Sequence, residues 1–144
     1  MTKGNHTMWK YEHTVETSAA PERIWALYAD VNGWDAWDTS IEKIELHGPF
    51  EVGTEISMTP TGQDGVRFTI IELKENELFA DETDLGDVKL HFIHTLLRID
   101  GGTRVTHRVE ITGPAAEQVG PHLGPAITSD LPDAMEALVK LAES

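Results

Sequence analysis

The chain has 144 residues, 40% of them hydrophobic, with 25 acidic against 11 basic side chains for a formal charge of −14, and no cysteine. That length suits one domain burying roughly two thirds of the surface its unfolded chain exposes, and the missing thiols exclude disulfides, thiolate nucleophiles, iron–sulfur clusters and cysteine-type zinc sites. The acidic balance repels phosphate backbones and anionic membranes, so neither nucleic-acid binding nor membrane insertion is expected.

No apolar run approaches the ~20 residues of a bilayer span, and the opening MTKGNHTM has neither the apolar stretch nor the cleavage pattern of a secretory signal. The expectation is a soluble, cytoplasmic protein with residues 1–7 as a flexible tail and 8–144 as one domain. Oligomeric state is not readable, and a homodimer is left open.

WKYEHTVET alternates, with Trp9, Tyr11, His13 and Val15 on one side and Lys10, Glu12, Thr14 and Glu16 on the other. That is the period of a half-buried strand, with His13 on its apolar face. SAAPERIWALYAD reads as a helix, with Pro21 at a first-turn position that needs no N–H and Glu22 near the positive end of the dipole. Ile24, Trp25, Leu27 and Tyr28 form its buried stripe. A second short helix or turn follows in DVNGWDAWDTS, where Trp34 and Trp37 suit core packing, and Asp35 and Asp38 a solvated surface.

From Ile41 to Thr112 the pattern becomes six short strands: IEKIELHG, GTEISMTP, VRFTIIELK, LFADETD, VKLHFIHTLLRI and TRVTHRVEIT. Turns rich in Gly, Pro, Asn and Asp separate them, and the absence of intervening helices predicts an antiparallel meander. The segment from Pro114 is helical in character, with Ile127, Leu131, Met135 and Leu138 at spacings of three and four. Pro132 is expected to kink it or to start it afresh behind a Ser129 or Asp130 cap, and the part before Pro125 reads as loop-like.

The stretch HFIHTLLRIDGGTRVTHRV carries three histidines around a tight turn. Reading Asp100-Gly101 as a two-residue type I′ turn makes Ile99 face Gly102, Leu96 face Val105 and His94 face His107. The alternation agrees: His94 falls in phase with Leu90, Phe92 and Leu96, and His107 with Val105, Val109 and Ile111, so both point inward while His91 points outward. Arg67, Arg104 and Arg108 fall on outer faces, and Arg98 lies inward but at the rim.

Three further stretches carry a family likeness: Ala20-Pro21-Glu22 before Ile24-Trp25, Asp30-Val31 with Trp34 and Trp37, and Gly102-Thr103-Arg104-Val105-Thr106 opening the last strand. They are similar to the APxxVW, DxxxWxxW-like and GGTRVT patterns of the START/Bet v 1-like (SRPBCC) superfamily, and within it of the polyketide cyclase/dehydrase and lipid transport group. The likeness runs over nearly the whole chain after Met8. It implies an α+β helix-grip fold: a curved seven-stranded antiparallel sheet wrapped around a long C-terminal helix, with two short helices after the first strand closing one end. The space between sheet and helix is often a ligand cavity in that superfamily. Its members include carriers, cyclases and hydrolysis activators, so the fold does not decide the function. The first strand would lie beside the last, bringing His13 toward His107.

Three readings of the inward histidines stay open. They are polar groups satisfied within a core or cavity, or general acid–base groups titrating near neutrality, or metal ligands, although no HExxH or tight ligand spacing supports the last. No motif demands a cofactor. The leading expectation is a cavity for a small hydrophobic or aromatic molecule, lipid or polyketide-like, lined by Tyr11, His13, Trp37, Phe68, Phe92, His94 and His107. The rival is a polyketide cyclase or dehydratase using His94 or His107 as general acid or base. An interaction module would fit the acidic surface but has no sequence feature of its own.

Overall fold

The structure, a computed structural model, describes residues 8–144; the tail expected over residues 1–7 lies outside them. The alternating opening segment forms strand β1 (Met8–Thr17), whose burial alternates with the sequence. Helix α1 (Pro21–Ala29) follows with Pro21 in its first turn, and a 3-10 turn spans Val31–Ala36. Six strands then run in succession: β2 (Ile41–Leu46), β3 (Glu55–Pro60), β4 (Val66–Lys74), β5 (Leu78–Asp84), β6 (Lys89–Ile99) and β7 (Gly102–Thr112). All seven form one antiparallel sheet in the order β1-β7-β6-β5-β4-β3-β2, so the meander closes by laying the last strand against the first.

The β6–β7 register is the one expected: Ile99 opposite Gly102, Leu96 opposite Val105 and His94 opposite His107. The turn type differs. Gly101 has φ +83, and among the described residues Asn76 is the sole non-glycine with positive φ, so Asp100 stays in the ordinary region. A positive φ at the second central residue alone is the type II pattern, not type I′. Glycine takes the left-handed position without a Cβ penalty, which spares Asp100 the cost that a type I′ turn imposes on both residues. Gly102 is needed for a different reason. A Cβ there would lie 1.8 Å from the Thr17 carbonyl oxygen, so only glycine lets the end of β1 approach β7.

The C-terminal segment is helical on both sides of a break: α2 (Ala116–Thr128) and α3 (Leu131–Glu143). Ser129 and Asp130 between them keep right-handed backbone angles. Pro132 supplies no N–H to the preceding turn, which accounts for the interruption there, and Asp130 holds the cap position without a side-chain hydrogen bond. The loop expected before Pro125 is instead part of α2, with Pro121 and Pro125 inside it. Tertiary packing outweighs the two lost hydrogen bonds. Gly120 and Gly124 lie against the Trp9 side chain, where added Cβ atoms would fall 2.7 Å from its Cβ and 2.3 Å from an indole carbon, while the prolines turn to solvent.

The apolar interior divides into two clusters on the inner side of the sheet. The larger joins Ile24, Tyr28, Trp34, Ile56, Ile70, Phe79, Val105, Met135 and Leu138 from strands, α1, the 3-10 turn and α3. The smaller joins Val88, Leu90, Ile111 and Ala116, with Trp9 and the apolar face of α2 packed on it. At the ends, Arg98 holds Glu22 through a two-pronged ion pair, and Thr17 donates a hydrogen bond to Glu143.

Candidate functional site

Between the two clusters the inner face of the sheet is polar. Alternation along each strand and register between strands place Phe79, His94, His107 and His13 in one row across β5, β6, β7 and β1. One step along the strands, Asp81, Phe92, Val109 and Tyr11 form the next row. The His13–His107 pairing, which the sequence left open, is thereby set.

His107 is the centre of the first row and is 3% exposed. Its Nε2 shares a 2.7 Å hydrogen bond with the hydroxyl of Tyr28, a fully buried side chain from α1. The His94 ring stands edge-on to it at 4.6 Å and stacks on Phe79 at 4.6 Å, with the ring planes 10° apart. His94 Nδ1–H donates to the Phe79 carbonyl at 2.8 Å, because a carbonyl oxygen can only accept.

Burial decides the charge state. It depresses His94 to about 4, the Phe79 carbonyl opposing the shift, and pushes His107 well below its ordinary value with help from His94 and His13. It also raises the Tyr28 phenol. All three groups are therefore neutral at pH 7. Since Nδ1 of His94 carries the proton, its Nε2 presents a lone pair.

Of the expected lining residues, Tyr11, His13, Phe92 and His94 are half-buried although they face inward, and His107 is buried among them. Trp37 and Phe68, each 7% exposed, lie in an aromatic group around Trp34, which is 6.0 Å from Trp37 and stacks on Phe68 at 6.4 Å. Trp34 also meets Phe79 at 5.8 Å, so this group borders the histidine row. His91 faces outward, as expected, and hydrogen-bonds Glu82 at 2.8 Å.

Sequence reasoning missed two residues. Tyr28 appeared only as part of a helix stripe, although a tyrosine on a core-facing stripe needs a partner for its hydroxyl. Asp81 drew no notice, yet its place in LFADETD puts it in phase with Phe79 and Thr83, and it is 3% exposed. Burial raises its carboxyl well above the ordinary carboxylate range, which favours the protonated form.

Among the described residues there is no group of three or more His, Asp or Glu arranged to hold a metal ion. An open groove of about 610 Å³ between α2 and the β5–β6 turn, lined in part by Leu85, Val88, Val119 and Leu123, does not reach the histidine row. No helix of the described residues is long and apolar enough to cross a membrane.

Solved structures share this architecture. Ara h 8.0201 superimposes with a TM-score of 0.77 at 14% identity, over 94% of this chain and 97% of that one. Norcoclaurine synthase from Thalictrum flavum, in complex with dopamine and hydroxybenzaldehyde, gives 0.73 at 18% identity, over 93% and 86%. The di-domain ARO/CYC StfQ from the steffimycin biosynthetic pathway gives 0.77 at 9% identity, over 97% of this chain and 52% of that one. At such identities the likeness is one of fold, the Bet v 1-like helix grip. No curated protein sequence matches significantly. The profile of one family, polyketide cyclase / dehydrase and lipid transport, nevertheless spans residues 8–143, from the first residue of β1 to the last of α3. Sheet, grip helices and sequence pattern thus agree, and the chain belongs to the polyketide cyclase / dehydrase and lipid transport family.

Proposed function

We propose that the protein binds a small, uncharged hydrophobic or aromatic molecule between the inner face of the sheet and the C-terminal helices. The observation that carries this reading is the half-burial of Phe92 and His94. Both lie on β6, an interior strand, and point inward, yet each keeps accessible surface, which supports open space on the concave side. Tyr11 and His13 line the same side from β1. Apolar walls supply affinity, and a few imidazole and phenol groups fix orientation. Neutral histidines in a chain of charge −14 favour an uncharged ligand over an anion. On this reading the protein works as a soluble cytoplasmic binder, without nucleic acid, and as a monomer or homodimer.

Native mass spectrometry combined with tryptophan fluorescence, run against aromatic and fatty ligands, tests the proposal. One-to-one complexes with at least one class are expected; failure of every class to bind removes it.

The His94 tautomer favours a second reading, a cyclase- or dehydratase-type enzyme. A neutral ring whose Nδ1–H is committed to the Phe79 carbonyl offers Nε2 as a base toward an activated methylene. Deuterium exchange at the methylene of a bound aryl 1,3-diketone measures this directly. His94→Gln is expected to abolish exchange while leaving affinity nearly unchanged. Equal exchange in both proteins ends the enzymatic reading and leaves the binding one standing.

A further inference from the structure

Two buried side-chain atoms among the described residues have no hydrogen-bond partner: Asp81 Oδ1 and Trp37 Nε1. Native interiors leave few such groups, because a polar atom buried without a partner loses its bonds to water and gains none. The two are chemically complementary. An indole N–H can only donate, whereas Oδ1 is an acceptor or, if it carries the acid proton, a donor.

Both border the aromatic group around Trp34. Asp81 points inward from β5, between Phe79 and Thr83 on its own strand, with Ile70 and Phe92 as its cross-strand partners. Phe68 comes two residues before Ile70 on β4. Trp34 lies across from both Phe68 and Phe79, and Trp37 packs on Trp34. Opposite Asp81 the β4 strand carries a bulge between Ile70 and Glu72, a distortion that re-aims side chains and is common beside binding sites. Phe92, the other cross-strand neighbour of Asp81, is one of the half-buried residues on the inner face.

We propose that Asp81 and Trp37 form the polar end of the ligand site and hold a hydroxyl group of an otherwise apolar aromatic ligand. This rests on the reading of the inner face as a binding site. A single hydroxyl satisfies both atoms: its oxygen accepts from Trp37 Nε1–H, and its O–H donates to a carboxyl oxygen of Asp81. Burial disfavours the charged form of Asp81, and as the acid its carboxyl can return a hydrogen bond to the same hydroxyl. The ligand class is thus a neutral phenol or alcohol. Carboxylates are disfavoured because their charge would be buried without a cation among the residues that surround Asp81.

Binding of naphthalene, 2-methoxynaphthalene, 2-naphthol and 2-naphthoate to the intact chain, measured by calorimetry, tests the assignment. In the unmodified protein 2-naphthol is expected to bind about tenfold more tightly than naphthalene, the worth of roughly one hydrogen bond to a buried group. The methoxy analogue, which can accept but not donate, should fall between them, and naphthoate should bind most weakly. Asp81→Leu should bring the naphthol-to-naphthalene affinity ratio down to about one, and Trp37→Phe should reduce it partially. The ratio between probes is the reading that matters, since a merely structural role would change both affinities together. A naphthol-to-naphthalene ratio that is unchanged in Asp81→Leu overturns the assignment and leaves Asp81 as a residue satisfied by water. If the unmodified protein binds naphthalene without preferring naphthol, the hydroxyl site is likewise refuted, while the binding proposal survives. Binding of no probe refutes the hydroxyl site, and it refutes the binding proposal as well only when fatty ligands also fail to bind.

Discussion

Strands β5, β6 and β7 present two chemically opposite faces built from the same short segments. On the convex side His91 lies between Glu82 and Glu110 in the sheet and bonds to Glu82, while Arg108 reaches both Glu110 and Glu12. On the concave side, three residues along from His91, His94 is stacked on Phe79 and held neutral by burial. Identical side chains thus meet opposite surroundings because strand parity sends odd and even positions to opposite faces. Outer polar groups are partnered by charges under water; inner ones are paired to neutral groups or left available. The lesson is that a histidine's chemistry here is set by its parity and its cross-strand neighbours, not by its spacing from other histidines.

The contrast breaks most visibly in packing. Phe79→Ala removes a fully buried ring that contacts Tyr28, Trp34, Phe50 and His94, and should cost about 3–5 kcal/mol in urea unfolding. Leu97→Ala on the convex side, where Leu97 is 56% exposed, should stay within about 0.5 kcal/mol. Comparable losses at the two sites would mean that the faces are not divided as described.

A second, more gradual effect appears in the dependence of stability on pH. Folding holds His94 and His107 neutral, whereas the unfolded chain protonates them below about 6.5. Their contribution is therefore complete above pH 6.5 and declines as pH falls toward 4, by at most about 1.4 kcal/mol per unit for each ring. Asp81 acts in the opposite sense. Folding keeps it protonated while the unfolded chain ionises above 3.8, so its contribution falls as pH rises beyond that value. Unfolding midpoints recorded between about pH 4 and 8 should show a shallower acid limb in His94→Gln and a shallower alkaline decline in Asp81→Asn. Unaltered slopes in both variants would contradict a neutral inner face.

The smallest effect belongs to the convex ion pairs. Arg108→Ala should cost no more than about 1 kcal/mol, and the loss should shrink further in high salt, because these pairs remain open to water. A larger, salt-independent loss would show that the outer network contributes as the core does.

How much of this was legible in the sequence differs between the fold and the site. Alternation in WKYEHTVET and in the two strands around Gly101-Gly102 is strong enough to give strand limits to within a residue, the β6–β7 register and the inward direction of His13, His94 and His107, but not the register of β1 on β7. The α2 prolines misled. Pro121 and Pro125 read as a loop because local rules penalise them, while the offsetting contact, Trp9 against Gly120 and Gly124, comes from the other end of the chain. Likewise Asp100-Gly101 matched the preferred dipeptide of a type I′ turn, but a single glycine with positive φ closes the hairpin in the same register.

What the chain determined by itself is therefore its one-dimensional content: periodicity, turn positions and the face on which each strand residue lies, together with the motifs that reveal the family. These are local properties, fixed by backbone geometry and by which side chains water rejects. The tertiary structure alone decided who meets whom. The hydrogen bond from α1 to β7 that joins Tyr28 to His107, the tautomer of His94 and the isolation of Asp81 and Trp37 all depend on contacts between distant segments. Their chemistry follows from desolvation, which exists only once those segments have closed around them.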